Sequence, residues 1–120
     1  MKTWIIPCNI NNYNVFGAFK KLKKLNWKQS TNIDIGDIVY IYTSKPYSEI
    51  THKCRVLEVN LVKTYIADNE FIIDGKPYLN NGRYMTLELM QTIDGADLEW
   101  LKNQGLKGNI QGPRKIDFEI

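Results

Sequence analysis

Four places along the 120-residue chain set an aromatic ring beside amide, hydroxyl or cationic groups. Trp4 stands near Asn9, Trp27 is followed by Lys28 and Gln29, Tyr40 and Tyr42 lead to Ser44, and Tyr78 and Leu79 precede Asn80 and Asn81. Such rings can clamp the π surface of a flat heteroaromatic ligand while amides and backbone groups read its edge, a combination that suits a nucleobase. Stacking supplies roughly 1–3 kcal/mol per base, enough to seat one base but not to hold a polymer. The remainder needs cations. Lys20, Lys21, Lys23, Lys24 and Lys28 cluster in one segment, and Lys102, Lys107, Arg114 and Lys115 populate the C-terminal end. A net charge of +3 and a pI near 8.8 permit an anionic partner without demanding one, since solvated helix faces carry lysines too.

Other chemistries find little support. The single histidine, His52, has no cysteine or second histidine at ligand spacing, so no metal is expected. There is no GxSxG elbow, no GxGxxG and no GK[ST] phosphate loop. Asp34, Asp37, Asp68, Asp74 and Asp94 fall at turns and strand ends, where capping explains them. Neither a catalytic residue nor a cofactor is expected. Cys8 and Cys54 lie in apolar, strand-like stretches outside any CxxC pair and read as buried free thiols. "MKTWIIPCN" has neither the apolar length nor the cleavage site of a secretory signal, so the expected location is the cytoplasm.

The elements that must position these residues follow from periodicity. The length predicts one domain over 1–120. "TWIIPCN" reads as a short buried strand ending at Pro7 or Cys8. In "VFGAFKKLKKLNW", Val15, Ala18, Phe19, Leu22 and Leu25 recur at helical spacing, capped by Asn12 or Asn14 and ended by Asn26. Trp27 then falls in a less regular segment, where it either lines a site or staples the helix. "NIDIGDIVYIYTS" alternates Ile38, Tyr40 and Tyr42 with Val39, Ile41 and Thr43, so both faces are apolar. Trp4 reads as core, whereas the pattern leaves Tyr40 and Tyr42 open between pocket and core. "HKCRVLEVNLVKTYI" is long enough to need a bend or bulge. "FIIDGKPYLNNGRYMTLELMQTI" contains the Asp74-Gly75 and Asn81-Gly82 turn dipeptides and reads as more than one strand. "GADLEWLKNQGLKG" is a short helix with Leu98 and Leu101 inward and Gly105 at its end, and "NIQGPRKIDFEI" is a loop leading to a possible closing strand. The expected fold is α+β: a small, mostly antiparallel barrel with flanking helices.

"WIIPCN", "LNWKQS", "IDIGDIVYIYTSKP" and "KCRVLEVN" occur in the order and spacing of the EVE domain, a member of the PUA-like superfamily that the chain resembles from Trp4 to Ile116. The tail "LKGNIQGPRKI" resembles the end of EVE modules fused to restriction-type nucleases. The resemblance implies a barrel of five or six strands that holds one flipped or single-stranded modified base, a modified cytosine or methyladenine, in DNA or RNA. It also implies a separate nuclease subunit as the partner that would use this recognition in restriction. EVE domains are similar to YTH domains, which enclose N6-methyladenosine in an aromatic cage. By that similarity "PCN" makes Asn9 the reader of the base edge with Cys8 beside it. Trp27 becomes the first cage wall, and Tyr78 or Leu79 stands where YTH domains have a second tryptophan. Lys28, Tyr42 and Ser44 complete the expected base pocket, and Lys24, Gln111, Arg114 and Lys115 are the expected phosphate contacts.

Two rival functions follow from the same residues. The related ASCH branch is similar to enzymes acting on modified nucleosides, and a small hydrolase of that kind would need a Lys, Thr and Glu set, for which Lys45, Thr43 and Glu49 are the candidates. The other is a protein-interaction domain whose lysines only solubilise it.

Overall fold

The computed structural model describes residues 1–74 and 82–120. Its architecture is governed by β3 (Ile38–Thr43), whose two apolar faces are both covered. Val39 and Ile41 join one core with Trp4, Ile6, Val15, Ala18, Phe19, Leu25, Cys54 and Leu87. Ile38 and Tyr40 join a second core on the opposite face with Ile5, Ile50, Ala96 and Leu101. A strand apolar on both faces must lie inside a sheet covered on both sides.

Among the described residues six strands, β1 (Thr3–Cys8), β2 (Lys24–Gln29), β3, β4 (Glu49–Leu61), β5 (Arg83–Asp97) and β6 (Arg114–Ile116), form that sheet in the order β2-β5-β4-β3-β1-β6. β1 runs parallel to β3, with Thr3 opposite Ile38 and Cys8 opposite Thr43. The crossover that a parallel pair requires contains α1 (Val15–Lys21) and β2. All other pairings are antiparallel, including β6 on β1. α1 lays Val15, Ala18 and Phe19 on the first core. α2 (Leu98–Asn103) lays Leu101 on the second. Each helix starts at a side-chain cap: Asn14 Oδ1 accepts from the Gly17 N–H and Asp97 Oδ1 from the Trp100 N–H. Among the described residues no helix is long and apolar enough to cross a membrane.

The expected bulges are present. β4 and β5 shift register between Ile50 and His52, Lys53 and Cys54, Val56 and Glu58, and Glu58 and Leu61. Such bulges bend a strand and curl its sheet. The curl does not close into the expected barrel, because among the described residues the edge strands β2 and β6 do not pair with each other. Pro7 lies in β1 beyond the residues that pair with β6. The Cys8 carbonyl faces β3, accepting from the Ser44 N–H. Strand alternation therefore turns the Pro7 nitrogen to the opposite edge, where it has no N–H to offer a further strand.

One segment differs from the periodicity-based expectation. The helix stops at Lys21, Leu22 is extended (φ −119°, ψ 135°), and Lys24–Gln29 pairs with β5 from Glu88 to Arg83. Leu25 fits the helical spacing, yet it is fully buried opposite Leu87 as a strand residue. Pairing with β5 satisfies backbone groups on both strands, which extending the helix could not do. Trp27 accordingly lies within a strand and not in an irregular segment. The stretch 71–93, expected to hold more than one strand, gives among the described residues the end of a 3-10 turn (Asn69–Phe71), a single bridge from Tyr13 to Ile72, and β5, while the Asp74-Gly75 and Asn81-Gly82 turns run into 75–81, outside the described residues.

Candidate functional site

The turn after β1 brings the expected polar residues to the open side of the sheet. Asn9 O accepts from the N–H groups of Asn12 (2.9 Å) and Tyr13 (3.1 Å), and Asn9 Oδ1 accepts from the Asn11 N–H at 3.0 Å. The turn is also tied to the end of β3, where Ser44 Oγ accepts from the Ile10 N–H at 3.0 Å. Asn9 itself is exposed, and its Nδ2 has no partner among the described residues.

This braced segment separates two hollows. The first, about 300 Å³, is lined by Ile6 to Asn9 and Asn12 from the β1 end, by Trp27, Lys28 and Ser30 from β2 and its exit, and by Gln111 to Pro113 from the loop before β6. The second, about 310 Å³, is lined by Pro7, Cys8, Asn9, Asn11, Tyr42, Ser44, Lys45 and Ile110. Pro7, Cys8 and Asn9 belong to both. A larger hollow of about 440 Å³ lies elsewhere, between Met1, Tyr40, Lys53, Arg55, Met90 and Ile120. It contains none of the expected site residues, and the ring at its base, Tyr40, is core.

Each expected residue has a definite place. Trp27 is partly buried, and Tyr13 meets its ring edge-on, with centroids 5.6 Å apart and planes at 78°. This contact fixes the indole while its remaining surface lines the first hollow. Lys28 lines the same hollow and forms no ion pair with a described residue. Cys8 contributes backbone more than chemistry: its thiol is buried, points to the Tyr13 carbonyl, and is pushed up to about 12 by burial. Tyr42 and Ser44 line the second hollow, whereas Tyr40 is buried in the second core with the Lys53 ammonium 5.8 Å from its ring centroid. The Tyr42 hydroxyl is raised above its usual range by burial, opposed by a hydrogen bond with Ser48 and reinforced by the Asp97 charge. Tyr78 and Leu79 lie outside the described residues.

The expected phosphate contacts are dispersed. Gln111 lines the first hollow. Arg114 Nη1 donates instead to the carbonyls of Lys107 (2.7 Å) and Asn109 (3.3 Å), closing the loop that carries Gln111. Lys115 pairs opposite Trp4 and faces a different hollow with Lys2 and Glu119. Lys24 stands opposite Glu88 at the far end of β2. Of the basic segment at 20–28, Lys21 is spent on an exposed ion pair with Glu70 at 2.6 Å. The Lys, Thr and Glu set of the hydrolase reading does not assemble in either hollow. The Thr43 hydroxyl is buried 2.7 Å from Thr51 Oγ1, which in turn meets His52 Nδ1 at 2.7 Å. Asn12, Ser30, Gly112 and Pro113 line the first hollow without having been expected in a site from sequence. The available signal was the position of Asn12 just beyond "PCN", and that of Gly112-Pro113 within the loop already chosen for Gln111.

Comparisons with known proteins bear on the fold. No family model matches the sequence, and no curated protein matches it. The chain is similar in structure to an ASCH protein from Zymomonas mobilis, with a TM-score of 0.64 at 11% identity over 97% of this chain and 88% of that one. It is similar to a protein from Pseudomonas putida, with a TM-score of 0.63 at 14% identity over 96% and 91%. A protein from Rhodopseudomonas palustris gives a TM-score of 0.56 at 13% identity over 88% and 72%. The fold is thus shared with an ASCH protein.

Proposed function

We propose that the chain is a non-catalytic nucleic-acid-binding module of the EVE type that reads one modified base, a modified cytosine or methyladenine, for a separate nuclease subunit. The observation that carries the reading is the convergence of Asn9, Trp27, Lys28 and Gln111, from three distant segments, on one hollow of nucleoside size. In this reading the indole of Trp27 stacks on the base, Nδ2 of Asn9 donates to its edge, and Lys28 and Gln111 receive the adjoining phosphate and sugar. A base presented this way has left its helical stack. Extrusion from a duplex costs a few kcal/mol that stacking and phosphate contacts must offset.

The motif order of the EVE resemblance and the PUA-like fold support this choice over a protein-interaction domain. The burial of the Thr43 hydroxyl against Thr51 supports it over the nucleoside hydrolase. Fluorescence anisotropy tests it, using DNA and RNA oligonucleotides that carry 5-methylcytosine, 5-hydroxymethylcytosine, N6-methyladenine or no modification, at two salt concentrations. The expected result is selective binding that survives the higher salt, and a roughly tenfold to hundredfold loss in Trp27→Ala, the value of one stacked base. Equal binding across the panel that collapses with salt would overturn the reading. Turnover of modified nucleosides, followed by chromatography, would replace it with the hydrolase.

A further inference from the structure

We propose that the site takes two consecutive nucleotides, one in each hollow, with the end of β1 and its exit, Pro7 to Asn9, as the wall between them. The inference rests on the base-reading function above and extends it to the length of ligand that is read.

Three features carry it. The hollows are nearly equal, about 300 and 310 Å³, each at the lower limit of small-ligand sites and too small for two nucleosides together. Each has its own ring and its own cation: Trp27 with Lys28 in the first, Tyr42 with Lys45 in the second. Neither lysine forms an ion pair with a described residue, so each ammonium is available to one phosphate. The dividing wall is held on both sides. Asn9 caps its own turn through Asn11, and Ser44 binds the turn twice, its Oγ accepting from Ile10 N–H and its N–H donating to Cys8 O at 3.0 Å. A single nucleotide in the first hollow would leave Tyr42, Ser44 and Lys45 without a ligand. A dinucleotide would fill both hollows while its phosphodiester crosses at Asn9, the exposed amide common to the two.

The test compares mononucleotides with dinucleotides. Titration calorimetry would use 5-methylcytidine and N6-methyladenosine 5′-monophosphates, and 5′-phosphorylated ribo- and deoxyribodinucleotides carrying the same modified base at either position. The dinucleotide with the modified base in the preferred position should bind about tenfold or more tightly than its mononucleotide, because the second contact becomes intramolecular. Lys45→Ala, a change at an exposed side chain, should abolish this advantage, leave mononucleotide affinity unchanged, and lower the salt slope by about 0.7 for the single phosphate lost. Equal affinity for mono- and dinucleotide, or an equal loss for both in Lys45→Ala, overturns the two-nucleotide site while the one-base reading stands if Trp27→Ala weakens both ligands. If no ligand binds, or Trp27→Ala changes neither, both proposals fall.

Discussion

Replacing Asp37 with asparagine tests how the N-terminal end of β1 is held in place. The residue follows Gly36, whose φ of +91° turns the chain into β3, and its side chain is buried. Oδ1 accepts from the Lys2 N–H at 2.9 Å, while Oδ2 accepts from Trp4 Nε1 at 3.1 Å and from the Asp34 N–H at 3.0 Å. Burial alone would raise the carboxyl, but these three donors and the Lys2 charge together hold it below its usual range. Asparagine has the same shape but only one acceptor oxygen. Its best orientation keeps the two bonds at the Oδ2 position and turns an NH₂ group toward the Lys2 N–H. One charge-assisted bond worth about 1.5–3 kcal/mol is then lost, and two more fall to the neutral range near 1 kcal/mol. The sum is about 2.5–7 kcal/mol, a large fraction of the roughly 5–15 kcal/mol that holds a domain together. Urea denaturation followed by tryptophan fluorescence should show the midpoint falling with an unchanged slope. Because the folded carboxyl is depressed, its contribution is complete above the unfolded value near 3.9 and is lost as pH falls through the folded value. The difference between wild type and Asp37→Asn should therefore be flat above about pH 5 and shrink at lower pH. A loss under about 1 kcal/mol at neutral pH would refute the reasoning, since it would mean that the carboxylate's charge does no more than a neutral amide.

Two further outcomes can be checked on the same protein. His52 is buried between the rings of Phe16 and Phe19, with centroids 5.3 and 5.0 Å away, and burial pushes its imidazole down to about 4. As pH falls from about 6.5 towards 4 the unfolded chain takes up a proton that the folded one refuses. Stability should thus decline by up to about 3 kcal/mol across that window and be flat above it, and His52→Gln should remove the slope in urea titrations taken at each pH. Asn26 Oδ1 accepts from the N–H groups of Tyr65 (2.7 Å) and Ile66 (2.8 Å), docking the segment after β4 onto β2. Asn26→Ala should raise amide hydrogen exchange at Tyr65 and Ile66 by about tenfold, the value of one or two net hydrogen bonds, with no comparable change at Val39 or Ile41.

Much of this architecture was legible because its causes are local. The Asn14 cap, the short helix at Leu98–Asn103 and the β1 stop at Pro7 and Cys8 each follow from side chains within a few residues of the feature. The two-faced apolar pattern of β3 announced a strand covered on both sides, as the two cores confirm. The candidate site was legible only in part. Asn9, Trp27, Lys28, Tyr42, Ser44 and Gln111 all reach one of two adjoining hollows, whereas Arg114 is consumed in holding its own loop and Lys115 and Lys24 stand elsewhere.

What the amino-acid order determined by itself was the list of pieces: which stretches bury one face or two, where caps and turns fall, and which rings have polar neighbours. Tertiary structure alone decided which pieces meet. Leu22 and Leu25 satisfy a helical period, yet the helix ends at Lys21 because β5 offers β2 a ladder of backbone partners that no local pattern reveals. Tyr40 and Tyr42 share a face of the same strand, but Tyr40 is buried within the second core with its hydroxyl 3.5 Å from the Ile120 carbonyl, whereas Tyr42 packs only partly against that core and lines the second hollow. Trp27 and Gln111 likewise come together only in the folded chain. Strand pairing acts between residues remote in sequence, so the register of a curled sheet, and the gap left where it fails to close, exist only once every strand has found its neighbour.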